Sequence, residues 1–119
     1  MAHDPAFGDW VREHLAGLGP IEIKPMFGGA SVYADGLIFA LLDDGVIWMK
    51  ADDGNQPALE AAGARQISYT AKDGRVMLMP YWSLPDSAVD DPDEAVAWAR
   101  SSLEAARRKA ALKKKPRKR

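Results

Sequence analysis

Few residues in this chain have the types and spacing for chemistry: two histidines, some serines, three clusters of adjacent acids, one pair of glycines and a C-terminal run of cations. An acyl-transfer site needs a nucleophilic hydroxyl beside an imidazole that an acid orients. His14 would have to recruit Ser31, Ser68, Ser83 or Ser87, and none stands in the Gly-x-Ser-x-Gly elbow that presents such a nucleophile. His14 also falls on the apolar stripe of a helical segment, so a buried, hydrogen-bonded ring is its expected role, while His3 belongs to a terminus expected to fray. The chain has no cysteine, which excludes thiol nucleophiles, disulfides, zinc-thiolate sites and iron-sulfur clusters and suits a reducing compartment. No catalytic, cofactor or metal residue is assigned.

The acidic clusters Asp43-Asp44, Asp52-Asp53 and Asp90-Asp91-Asp93-Glu94 raise the question of calcium or magnesium. From Asp52 the chain reads DDGNQPALE, which puts Pro57 where a calcium loop needs glycine. The other two clusters suit a hairpin turn and a helix N-terminus, so structural roles are expected. Gly28-Gly29 lies in KPMFGGASVYADGLIFALL. A phosphate loop of the Walker type needs lysine and a hydroxyl residue after its glycines, and a dinucleotide loop opens a helix. Here a β-branched and aromatic stretch follows instead. The expected role is architectural: a glycine bulge that kinks the strand or lets another backbone come close, with Met26 and Phe27 packing beside it.

The cations are the strongest electrostatic feature. Arg107, Arg108, Lys109, Lys113, Lys114, Lys115, Arg117, Lys118 and Arg119 make up nine of the sixteen basic residues, leaving 7 basic against 17 acidic residues before them. An acidic body of net −10 thus ends in a tail of +9, although the whole chain sums to −1. Such a tail is a candidate for contact with nucleic-acid phosphates. Against that, it lacks interleaved aromatics and the acidic body repels the same polyanion. Folding back on the acidic body is the other role open to it.

The elements that must position these residues follow from period and punctuation. Asp4-Pro5 is a cap with proline at the first helical position, and Phe7, Trp10, Val11, His14, Leu15 and Leu18 recur on one helical face until Gly19-Pro20. Three strands are expected at 27–33, 37–42 and 46–50, joined by Ala34-Asp35-Gly36 and Asp43-Asp44-Gly45, whose Asp-Gly pairs supply the positive φ of tight hairpins. A short helix at 56–62 ends at Gly63, and strands at 66–71 and 75–81 flank Lys72-Asp73-Gly74. Leu84-Pro85-Asp86 reads as a loop. Asp91-Pro92-Asp93-Glu94 then opens the last helix with a carboxylate form of the capping box, and Ala95, Val96, Trp98, Ala99, Leu103 and Ala106 line its buried side. The order is α-β-β-β-α-β-β-α. It predicts a two-layer α+β fold with a five-stranded, mainly antiparallel sheet and helices on one face.

The combination of Met26-Phe27-Gly28-Gly29, Tyr33, Asp35-Gly36, Phe39-Ala40-Leu41, Lys50, Asp52, Tyr81-Trp82, Pro85 and Trp98-Ala99 resembles the N-terminal domain of the TfoX/Sxy family. The resemblance covers roughly residues 10–107. It implies a small α+β domain related in architecture to secretion-chaperone-like folds. Full-length members of the family regulate natural competence in bacteria alongside the cyclic-AMP receptor protein. The family brings no catalytic residues to carry over, so Met26, Phe27, Gly28, Gly29, Tyr33, Asp35 and Gly36 are read as structural. The chain is expected to be a stand-alone domain over 1–106, without the helical C-terminal domain. Its basic tail at 107–119 is expected to be helical for a turn or two and without fixed structure from Lys113 to Arg119.

No stretch approaches the ~18 apolar residues of a membrane span, and the first ten residues carry two aspartates and no leader-like pattern. A cytoplasmic location is expected. The functional expectation is a non-enzymatic regulatory or protein-interaction domain, with a transcription regulator as the kind of partner and a homodimer through a sheet edge or face. The alternative is a nucleic-acid-binding accessory protein that uses the tail. Tyr81-Trp82 is the candidate protein contact if exposed, although packing of Trp82 across the last helix is the commoner fate of such a residue.

Overall fold

The computed structural model describes residues 4–26 and 29–114, apart from the side chains of Lys113 and Lys114. Helix α1 (Pro5–His14) starts as its sequence demands: Asp4 Oδ1 accepts the Ala6 N–H at 3.0 Å, and Pro5 takes a first-turn position where its missing N–H is not needed. A 3-10 turn at Ala16–Leu18 follows, and Gly19 at φ 115° turns the chain into the sheet.

The sheet has six strands rather than five: β1 (Glu22–Met26), β2 (Gly29–Ala34), β3 (Leu37–Asp43), β4 (Val46–Lys50), β5 (Gln66–Thr70) and β6 (Val76–Ser83), in the spatial order β1-β2-β3-β4-β6-β5. Every neighbouring pair is antiparallel. The additional strand is β1, which sequence reading leaves out because Glu22, Lys24 and Pro25 interrupt its apolar alternation. Those same residues suit an edge strand, where proline has no ladder bond to lose on its open side.

Two hairpins close as their Asp-Gly pairs predict. Asp35 and Gly36 have φ of 54° and 76°, and Asp44 and Gly45 have 53° and 75°, the left-handed pair of a type I′ turn. The third spans Lys72, Asp73 and Gly74, with Ala71 N–H donating to Arg75 O at 2.8 Å and Gly74 at φ 90°.

Of the two architectural roles expected for the glycines, Gly29 fills the second, the close approach of another backbone. Met26 and Gly29 are register partners, and a Cβ built on Gly29 would fall 2.1 Å from the Leu42 carbonyl oxygen. Gly29 is therefore required by the close approach of another backbone. The irregularity in the β2–β3 pair comes between Val32 and Tyr33, where Phe39 is the extra residue on β3. Phe27 and Gly28 lie outside the described residues.

Helices α2 (Gln56–Ala61), α3 (Asp86–Val89) and α4 (Pro92–Lys114) complete the order, α3 standing where a loop was expected. Val11 of α1, Leu15 at its C-cap, Ala88 of α3 and Ala95, Ala99, Leu103 and Ala106 of α4 share one buried cluster with Val32, Phe39, Ala40, Ile47 and Met49 of the sheet. Leu59 of α2 packs against Trp82 and Ala51 in a smaller cluster beside Trp98. All four helices thus cover one face. The start of α4 corrects the capping-box reading in part. Asp91 Oδ1 accepts the N–H groups of Asp93 and Glu94, but the Glu94 carboxylate takes Ser87 Oγ at 2.7 Å and Trp98 Nε1 at 3.1 Å, tying α3 to α4. Helix α4 runs without a break across the boundary expected after residue 106, and residues 115–119 lie outside the described part.

Candidate functional site

The pleat sends alternate residues to opposite faces of the sheet. Ile23, Val32, Ala40, Met49 and Trp82 are successive register partners facing the helices, and the next row, Lys24, Ser31, Leu41, Trp48 and Ser83, faces away. That second face is not a polar solvent surface. Aromatic rings on it lie under cations: Lys24 Nζ is 5.0 Å from the Tyr33 centroid, Lys50 Nζ 5.5 Å from Tyr81 and the Arg65 guanidinium 5.7 Å from Trp48. Burial, with a smaller contribution from the nearby Tyr33, pushes the Tyr81 hydroxyl up to about 12.

The sheet curls about this face. Between Gln66 and Ser68 of β5, β6 carries two surplus residues in the stretch around Pro80, a strand position that a proline tolerates only at such an irregularity. Met26 and Leu41 from one end of the sheet and Ile67, Tyr69 and Met79 from the other consequently line a common trough of about 660 Å³. Its walls are apolar, with Asp43 and Ser68 at the margin. A second cavity of about 340 Å³ lies between α1, β4 and α3, lined by Phe7, Trp10, Ile47, Arg65, Asp86 and Val89. Phe7, Trp10 and His14 stack in series there, and His14 Nε2 lies 2.8 Å from the Ala88 carbonyl, so the imidazole is buried and hydrogen-bonded as its place in the sequence predicts.

The residues singled out in the sequence separate into three places. Met26 is 46% exposed at the trough, with its sulfur in contact with Ser31 Oγ; Gly29 lies against the Leu42 carbonyl; Tyr33 is on the trough face; Asp35 and Gly36 form a hairpin turn. Tyr81 and Trp82 are each 7% exposed, and Trp82 packs on Leu59 with its indole N–H unpartnered. The condition under which this pair would anchor a partner, an exposed position, is not met.

The third place is the start of the basic run. Arg107 donates to Asp35 at 2.8 Å, and Arg108 grips Asp52 with Nε and Nη2 at 2.7 and 2.8 Å. Lys109 is exposed. The side chains of Lys113 and Lys114, and the whole of Lys115, Arg117, Lys118 and Arg119, lie outside the described residues. The two motif aspartates therefore latch the last helix to the sheet.

Sequence reading missed the trough itself. Its signal was present in LIFALL and VIWM, apolar runs without alternation, which mark strands covered on both faces. The Asp52 carboxyl is held below its ordinary range, first by the Arg108 side chain and further by the N–H groups of Gly54 and Asn55, against a contribution from burial that raises it. Among the described residues no group of three or more histidines, aspartates and glutamates could hold a metal ion, and no helix is long and apolar enough to cross a membrane.

Fold and face together define a two-layer α+β domain in which helices protect one side of a curled antiparallel sheet and an apolar trough occupies the other. A family model of the TfoX N-terminal domain matches residues 13–106, and the chain belongs to that family. It is also 28% identical over 95 residues to Protein Sxy of Escherichia coli strain K12, an alignment covering 80% of this chain and 45% of that protein. The chain thus spans about half the length of the curated relative it matches.

Proposed function

We propose that this chain is a non-enzymatic regulatory domain of the bacterial cytoplasm that acts by binding another protein, in the manner of the competence regulators its family resemblance implies. The observation that carries the reading is the trough: an apolar concavity of about 660 Å³ whose rim residues Met26 and Tyr69 stand 46% and 53% exposed. Exposed apolar surface beside a concavity is the ordinary mark of a protein-contact site.

The partner class proposed is a transcription regulator of the cyclic-AMP receptor type. Titrating the labelled chain with that purified regulator is expected to give saturable binding, weakened about tenfold or more in Met26→Asp, which replaces an apolar contact by a charge that binding would have to desolvate. A Met26→Asp variant with native melting and undiminished binding removes the trough from the reading. Absence of binding by the unsubstituted chain removes the partner class.

A further inference from the structure

The two edges of the sheet are built differently. Edge strand β1 reads EIKPM and carries a glutamate, a lysine and a proline, the devices that keep an open strand from pairing with another chain. Edge strand β5 reads QISYT, with no charge and no proline, and Ser68, Tyr69 and Thr70 are exposed. Beside it on β6, Val76 and Leu78 are each 66% exposed. We infer that β5 is a self-association edge, at which two copies of the chain pair their β5 strands antiparallel about a two-fold axis through Ser68.

The register follows from the ladder. At the two ends of β5, Ala71 N–H donates to Arg75 O, and Ser83 N–H donates to Arg65 O while Arg65 N–H donates to the Ser83 hydroxyl, so the odd positions along the strand turn their backbone groups toward β6. Residues 66, 68 and 70 then direct N–H and C=O to the open edge. An axis through Ser68 sets Gln66 against Thr70 of the second copy, Ser68 against Ser68, and Thr70 against Gln66. That makes about six hydrogen bonds, two for each pair. A shift of two residues either way loses outward-facing partners. The same axis sets Ile67 beside Tyr69 of the second copy on the trough face, an aliphatic-aromatic pair of the kind that stabilises sheets, and opposes no like charges. A strand complementary to itself fits a second copy better than an arbitrary peptide, and an isologous pair closes without propagating.

The inference goes beyond the regulator-binding reading and does not depend on it. Ser68 is exposed, so Ser68→Lys and Ser68→Glu leave the monomer's packing unchanged and set like charges against each other across the axis. Sedimentation equilibrium over a concentration series is expected to show a dimer for the unsubstituted chain. Dissociation constants should rise about fivefold or more in either variant and recover in an equimolar mixture of the two. Thermal melting of each variant verifies the fold. A monomer at every concentration overturns the inference, as does a dimer indifferent to both substitutions or a mixture that does not recover. A monomer that instead binds the regulator leaves the preceding reading standing and eliminates only this one.

Discussion

Arg108 on α4 holds Asp52, 56 residues earlier in the chain, in a two-pronged ion pair at 2.7 and 2.8 Å. The aspartate is fixed in advance, its Oδ1 accepting the Gly54 N–H at 2.9 Å while Asn55, buried in the same loop, donates to the Lys50 carbonyl. A preset carboxylate meets a planar fork, which lowers the conformational entropy lost on pairing. Both side chains remain partly exposed, at 48% for Arg108 and 34% for Asp52, so screening limits the gain. A double-mutant cycle of Arg108→Ala and Asp52→Asn, read by urea denaturation at neutral pH, is expected to give a coupling of about 0.5–1 kcal/mol. Coupling indistinguishable from zero would show that the latch orients α4 without stabilising it. The sign with pH follows from Asp52, whose folded carboxyl titrates below its unfolded value. The contribution is complete above the ordinary carboxylate range and disappears as pH falls through the lowered folded value. Asp52→Asn should flatten that part of the acid limb.

Gly29 and Gly36 test two different reasons for glycine. At Gly29 a methyl group would stand 2.1 Å from the Leu42 carbonyl oxygen, a backbone atom held by the β2–β3 ladder. Gly29→Ala should cost about 2 kcal/mol or more, because strands have to separate. At Gly36 nothing lies within 4 Å and only the φ of 76° opposes a side chain, so Gly36→Ala should cost about 1 kcal/mol. Urea midpoints of the two variants rank the effects. Equal losses would remove the argument from close approach.

Tyr81 predicts the alkaline limb. Its hydroxyl titrates at about 12 when folded against an ordinary value near 10, so the unfolded chain ionises first. Stability from this group is complete below about pH 10 and is lost as pH rises toward about 12, by on the order of 2 kcal/mol. Tyr81→Phe should remove this decline. Absorbance titration of tyrosinate in the folded protein should lose its highest step in the same variant.

The basic tail gives a salt-dependence prediction. A chain ending at Ala110 keeps both arginine latches, unlike one ending at Ala106, and so isolates the cations beyond the helix contacts. On the protein-binding reading, DNA retention at physiological ionic strength should be weak and alike for the full chain and the shortened one. A steep salt slope in the full chain, lost on shortening, would assign nucleic-acid contact to the tail.

What the sequence alone determined is what neighbouring residues settle among themselves. Asp35-Gly36 and Asp44-Gly45 specify their turns because positive φ is a property of two adjacent residues, and Asp4 and Asp91 cap their helices across two or three. His14 and the face of α4 followed from helical period, and the combination running from Met26-Phe27-Gly28-Gly29 through Asp52 and Tyr81-Trp82 to Trp98-Ala99 placed the family. Strand β1 escaped because Pro25 and its charges hide an edge strand, and Glu94 was misread because a capping box uses the same residue that here reaches Ser87. Tertiary structure alone decided the latches of Arg107 and Arg108, the contact above Gly29 and the trough, since each joins groups far apart in the chain. The curl at Pro80 that brings Ile67, Tyr69 and Met79 opposite Met26 and Leu41 depends on a register difference between two strands. No single segment encodes such a difference, because it exists only once both strands are paired.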